Sequence, residues 1–124
     1  MRQGITALIA MIWLLLWSWN PASAQVPKTV TVGFCNQANM NVVVKGYTIV
    51  NGVQRGGQIL QLSKTDGRAY ENNVPTGVRY YTVYDVNFKI LLRDHPVQVQ
   101  NRTVSLEILP VPGNPNRVTI VTAP

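Results

Sequence analysis

Cysteine is almost absent from this chain. Cys35 stands alone, so no intrachain disulfide can form and the fold must hold by its core. As a lone thiol it either packs as a small apolar residue beside Phe34 or pairs with another chain, and packing is the expectation. Histidine is equally scarce, with His95 the single copy. One histidine and no cysteine pair leave no zinc ligand set, and no acidic calcium loop is present. Acidic residues number five (Asp66, Glu71, Asp85, Asp94 and Glu107). Asp66 and Asp85 fall in turns, where aspartate bonds its own backbone, and Glu71 and Glu107 read as solvent-face residues. Helical periodicity of useful length is missing throughout, so no glycine-rich phosphate loop leads into a helix. The expectation is no cofactor and no metal.

Long apolar runs are confined to the first residues. Arg2, the Ile5–Trp17 run, the helix-breaking Asn20-Pro21 and the small residues Ala22-Ser23-Ala24 have the form of a secretory signal peptide. The run is short for a spanning helix, which needs about 20 residues. Cleavage after Ala24 is therefore expected, leaving Gln25–Pro124, with no transmembrane anchor, in the periplasm or outside the cell. That mature segment would contain no tryptophan, since Trp13, Trp17 and Trp19 all precede the cleavage point. Loss of Arg2 leaves ten basic against five acidic residues, a net charge of +5.

What is present is strand pattern. Val30, Val32 and Phe34 share one parity, and Met40–Val50 is a longer strand with Gly46 inside it, where glycine suggests a bulge or a sheet switch. Asn51-Gly52 between apolar runs is a strong hairpin signal, because both central residues of a type I′ turn need positive φ. Gly56-Gly57 interrupts the return strand, which resumes at Gln58–Leu62. A short strand follows at Arg68–Asn72. Val74–Asp94 then reads as a central hairpin, with Pro75 and Gly77 turning into Val78–Tyr84, a turn at Asp85-Val86-Asn87, and a second strand from Phe88. Asp94-His95-Pro96 breaks the pattern before Val97–Gln100, an expected edge strand. Val104, Leu106 and Ile108 face inward in the next strand. Pro110–Pro115 is a rigid connection, and Arg117–Thr122 is the last strand and a second expected edge.

These elements predict an all-β fold, a small antiparallel β-sandwich of about seven to nine strands over residues 25–124. Gly77–Val83, a tyrosine strand following a proline-glycine turn, resembles the corresponding turn and strand of fibronectin type III and other immunoglobulin-like sandwiches. The resemblance implies architecture and no function.

Alternation places Val78, Tyr80, Thr82 and Tyr84 on one face of the first hairpin strand, and Arg79, Tyr81 and Val83 on the other. The Arg79 and Lys89 faces are expected to look outward. Arg79, Tyr81, Lys89 and Arg93 would then form a basic, tyrosine-bearing face suited to an anionic polymer or an acidic protein surface, with nucleic acid disfavoured in an exported protein. The leading expectation is a non-enzymatic secreted module that binds a partner at the envelope or outside the cell, with the two edge strands able to add to a partner sheet. The alternatives are a small exported hydrolase near Asp94 and His95, and an inhibitor presenting Pro110–Pro115. Neighbours in an extended chain point to opposite sides, so Asp94 and His95 do not make a direct acid–base pair. Asn101-Arg102-Thr103 is a glycosylation sequon in an expected turn.

Overall fold

The structure, a computed structural model, describes residues 28–123. The expected leader lies outside the described residues. Among the described residues nine strands follow one another without a helix: β1 Thr29–Asn36, β2 Val42–Val50, β3 Val53–Gly56, β4 Leu60–Leu62, β5 Arg68–Pro75, β6 Gly77–Tyr84, β7 Ile90–Val99, β8 Val104–Val111 and β9 Asn114–Thr122. They form a β-sandwich. One sheet runs β5-β1-β8-β9, and the other runs β3-β2-β6-β7, with β4 also paired to β2. Every pairing is antiparallel except β1 with β8.

Turn chemistry explains the connections. Asn51 (φ 51°) and Gly52 (φ 77°) make the two-residue β2–β3 hairpin. β3 and β4 are the two halves of one return strand along β2, separated at Gly57-Gln58-Ile59. Pro110–Pro115 is no free loop: Pro112 and Gly113 alone lie outside β8 and β9, and Gly113 has the φ of 79° that a tight turn requires. The second hairpin strand also differs from expectation. β7 passes through Asp94-His95-Pro96 without ending, because Asp94 adopts φ 48° where the pairing with β6 shifts, and the strand continues on the shifted register. Both expected edges are edges, β7 of one sheet and β9 of the other.

The core lies between the sheets. Val32, Phe34, Leu106, Ile108, Val118 and Ile120 come from the first sheet, and Val42, Val44, Leu60, Leu62, Tyr81, Val83, Leu91, Val97 and Val99 from the second. Leu91, not Ile90 or Leu92, fills the inward place at the start of β7, because Phe88 and Lys89 belong to the turn. Asn36 ends β1 fully buried. Its amide donates to the carbonyls of Met40, Leu62 and Ser63 and its Oδ1 accepts Ala38 N–H, which ties two loops to one end of the sandwich. That end carries the 37–41, 63–67, 85–89 and 112–113 connections.

Candidate functional site

β6 divides its side chains between two roles. Arg79, Tyr81 and Val83 face inward, contrary to the expected exposure of the Arg79 face; Arg79 is 2% and Tyr81 0% exposed. The physical reason is a partner across the sandwich. Glu71 of β5, also not the solvent-face residue expected, accepts Arg79 Nε at 3.2 Å and Arg79 Nη2 at 2.6 Å, a bidentate ion pair. Tyr81 donates its hydroxyl to the same carboxylate at 2.9 Å, and Arg79 Nη1 donates to Thr48 Oγ1 at 2.8 Å. The Tyr81 ring meets Phe34 edge-on at 5.0 Å.

Two glycines make room for this cluster. A Cβ on Gly46 would lie 2.6 Å from Tyr81 Cδ1, and one on Gly57 would lie 2.6 Å from Arg79 Nη2. Gly46 therefore serves close approach, not a bulge or sheet switch. A buried charge is tolerated where it is paired and hydrogen-bonded, and here the carboxylate pairs the guanidinium in bidentate fashion while Thr48 takes a third donor. The cluster clamps the sheets together and is closed to solvent.

Burial, reinforced by the Glu71 carboxylate, raises the Tyr81 phenol well above the usual tyrosine range. The folded value exceeds the unfolded one, so this stability is fully present below pH about 10 and is lost as pH rises beyond it. Urea denaturation at pH 8 and pH 11 should show the wild type losing up to about 1.4 kcal/mol per pH unit above 10, with a shallower loss in Tyr81→Phe. Equal slopes in the two proteins would contradict this.

The outer side of β6 is the other parity, Val78, Tyr80, Thr82 and Tyr84, of which Thr82 is itself buried beneath its neighbours, joined by Lys45, Tyr47 and Ile49 of β2. Tyr47 and Tyr80 are cross-strand partners whose rings stack at 5.3 Å and 28°. Tyr84 meets Phe88 edge-on at 5.9 Å, and the Lys45 ammonium lies 5.8 Å over the Tyr84 ring. Asp94 sits among them. Its Oδ1 accepts the Tyr47 hydroxyl at 3.3 Å and the Thr82 hydroxyl at 3.4 Å, and its N–H donates to Thr82 Oγ1 at 3.1 Å. Loss of solvation, then the Asp94 carboxylate, raises the Tyr47 phenol above its ordinary value. The outer face is thus a row of tyrosines whose polar tips are partly fixed, with Ile49 56%, Val78 40% and Phe88 61% exposed around them.

The four residues expected to form one contact face are not brought together. Arg79 and Tyr81 are internal, while Lys89 and Arg93 are exposed at the β6–β7 turn and on β7. Asp94 and His95 also diverge. Asp94 bonds to the outer tyrosine face, whereas His95 pairs with Tyr81 and shares the parity of the buried Val97 and Val99. Cys35 is buried, on the face of β1 opposite Phe34, with Gln37 Nε2 3.7 Å from its sulfur. Among the described residues no group of three His, Cys, Asp or Glu side chains is placed to hold a metal ion.

The residues that sequence reasoning missed are Tyr47, Asp94 as a member of the platform, and Phe88. Their signal was the parity of Tyr80, Thr82 and Tyr84, which was legible, combined with the cross-strand register of β2, which was not.

No protein-family model matches this chain, and no curated protein matches it. Among solved structures, the NMR structure of a protein from Eubacterium rectale superimposes with a TM-score of 0.53, covering 77% of this chain and 88% of its own, at 14% identity. That likeness is one of fold alone.

Proposed function

We propose that this is a non-catalytic, exported β-sandwich module that binds a partner at the cell envelope or outside the cell, and that contact is made by the outer face of the β3-β2-β6-β7 sheet. One observation carries the reading: Tyr47, Tyr80, Tyr84 and Phe88 line a solvent-facing surface although the core is complete without them. Tyrosine offers a large, stiff apolar body with a polar tip, which is why it is enriched where surfaces are recognised.

The edge strands support strand addition less well. β7 is distorted at Asp94 and carries Pro96, and β9 has Pro115 as its second residue and a register shift near its start, features that discourage an added strand. The nine other Lys and Arg residues among the described residues are spread over the surface, and the cluster that would have centred on Arg79 does not exist. A hydrolase drawing on Asp94 and His95 gains no support from their opposite parities.

The test is retention of the purified protein on the envelope fraction of its native host. Tyr80→Ala with Tyr84→Ala should weaken retention at least about tenfold, with the far-ultraviolet circular dichroism unchanged. Lys89→Glu with Arg93→Glu should leave it within about twofold, the size of a rim effect. Retention that survives the tyrosine replacements and is released by roughly 0.5 M salt would place the contact on the scattered basic surface instead.

A further inference from the structure

The β6–β7 turn contains an anomaly. Asp85 N–H donates to Lys89 O at 2.9 Å, Phe88 N–H donates to Asp85 O at 3.0 Å, and Asp85 Oδ1 accepts the N–H groups of Asn87 and Lys89 at 2.8 and 2.9 Å. This turn demands a left-handed residue at position 88, and Phe88 supplies it with φ 62°. Glycine or asparagine suits that conformation, whereas a bulky side chain is disfavoured there. Phe88 returns nothing to the core, being 61% exposed. Residues held in strained backbone conformations cluster at active sites, ligand clamps and switch regions.

Phe88 also forms a wall of a cleft of about 490 Å³, in the size range of small-molecule sites. Val86 stands beside it, Val43 lies beneath, and Asn41, Gln61 and Ser63 contribute the polar side. Asn41 Oδ1 is occupied by Lys64 N–H at 2.8 Å, which fixes the amide and leaves its NH2 as a donor. Among the described residues no charged side chain lines the cleft. On the adjoining tyrosine face, Lys45 and Asp94 offset one another in sign.

We propose that this cleft and the tyrosine face continuous with it through Tyr84 bind a neutral glycan, with Phe88 as the aromatic anchor; the proposal rests on the platform reading above. A pyranose ring has C–H faces that pack on an aromatic ring and hydroxyls around its rim that bond to amides and hydroxyls, and the cleft supplies that combination. An anion would find no cation in the lining. A protein hot spot would need a deeper apolar pocket than Val43 and Val86 provide.

The experiment is native affinity electrophoresis of the full protein in gels containing hydroxyethylcellulose, galactomannan or soluble starch, with alginate and heparin as acidic comparators. At least one neutral polymer should retard the wild type, and roughly 0.5 M salt should not reverse it. Phe88→Gly should raise the apparent dissociation constant at least tenfold while its melting temperature stays at or above that of the wild type. Phe88→Tyr should retain binding. The proposal is overturned if none of the three neutral polymers retards the protein, if Phe88→Gly binds like the wild type, or if Phe88→Gly melts lower, since the ring would then be structural. Retardation by alginate or heparin alone, abolished by salt, also overturns it. Tyrosine-dependent envelope retention without neutral-polymer binding would sink the glycan class and leave the platform standing; loss of both sinks both.

Discussion

Glu71→Ala is expected to cost about 3–5 kcal/mol in urea unfolding at pH 7, the penalty for stripping one partner from a buried ion pair. Arg79 is 2% exposed and gives three of its donors to Glu71 and Thr48. Without the carboxylate its charge stays in the core with Thr48 as its sole remaining partner. A domain of this size has about 5–15 kcal/mol in total, so the variant would stand near the edge of folding. The paired replacement Glu71→Leu with Arg79→Met should recover most of the loss, because apolar side chains of similar volume are neutral or better in such places. Gln at position 71 should fall between, keeping acceptor geometry but not charge. A cost below about 1 kcal/mol for Glu71→Ala would mean that the guanidinium reaches water and the cluster is open.

The same pair shows where sequence reading reached and where it stopped. Strand positions followed from alternation, the β2–β3 hairpin from Asn51-Gly52, and the split return strand from Gly56-Gly57. The inward set of β8, Leu106 and Ile108, also stands as read. β6 was harder because tyrosine occupies both of its faces, so hydrophobicity alone does not choose between them. Arginine at position 79 then argued for solvent. The deciding fact is a carboxylate eight residues earlier on the other sheet, brought opposite by the tight turn at Thr76. Local pattern contains strand parity but not the pairing of one strand's interior with another's. β7 reads as two pieces in the sequence for a related reason: a single left-handed residue at Asp94 lets a strand continue through a segment whose composition reads as a break.

The two faces of β6 are mechanically linked. Arg79 and Tyr81 fasten the strand to β5 and to the core, and the residues between and beside them, Tyr80 and Thr82, stand on the outside. A side chain locked by packing beneath it presents its neighbours with little freedom, which is what a preorganised contact surface needs. The interior network and the half-buried tyrosines of the outer face are therefore two uses of one rigid strand.

Gly46→Ala tests that linkage, with an expected loss of about 3 kcal/mol, the upper range for overpacking a filled core. The added Cβ would lie 2.6 Å from Tyr81 Cδ1 and 3.0 Å from Arg79 Nε, and neither atom is free to move. The Tyr81 ring is held by Phe34 at one side and by its hydroxyl bond to Glu71 at the other, and Arg79 is held by its bidentate pair. Gly56→Ala is the control. A Cβ there meets nothing nearer than Gly46 O at 3.7 Å, so its cost should stay within about 0.5 kcal/mol. Removing the ring should release the clash: in a Tyr81→Leu background, Gly46→Ala should cost less than about 1 kcal/mol, giving a coupling energy near 2 kcal/mol in a double-mutant cycle. In a Tyr81→Phe background the clash should persist, because the ring carbons are unchanged and only the hydroxyl is gone. If Gly46→Ala costs the same in all three backgrounds, the glycine is retained for strand conformation and not for the tyrosine beneath it.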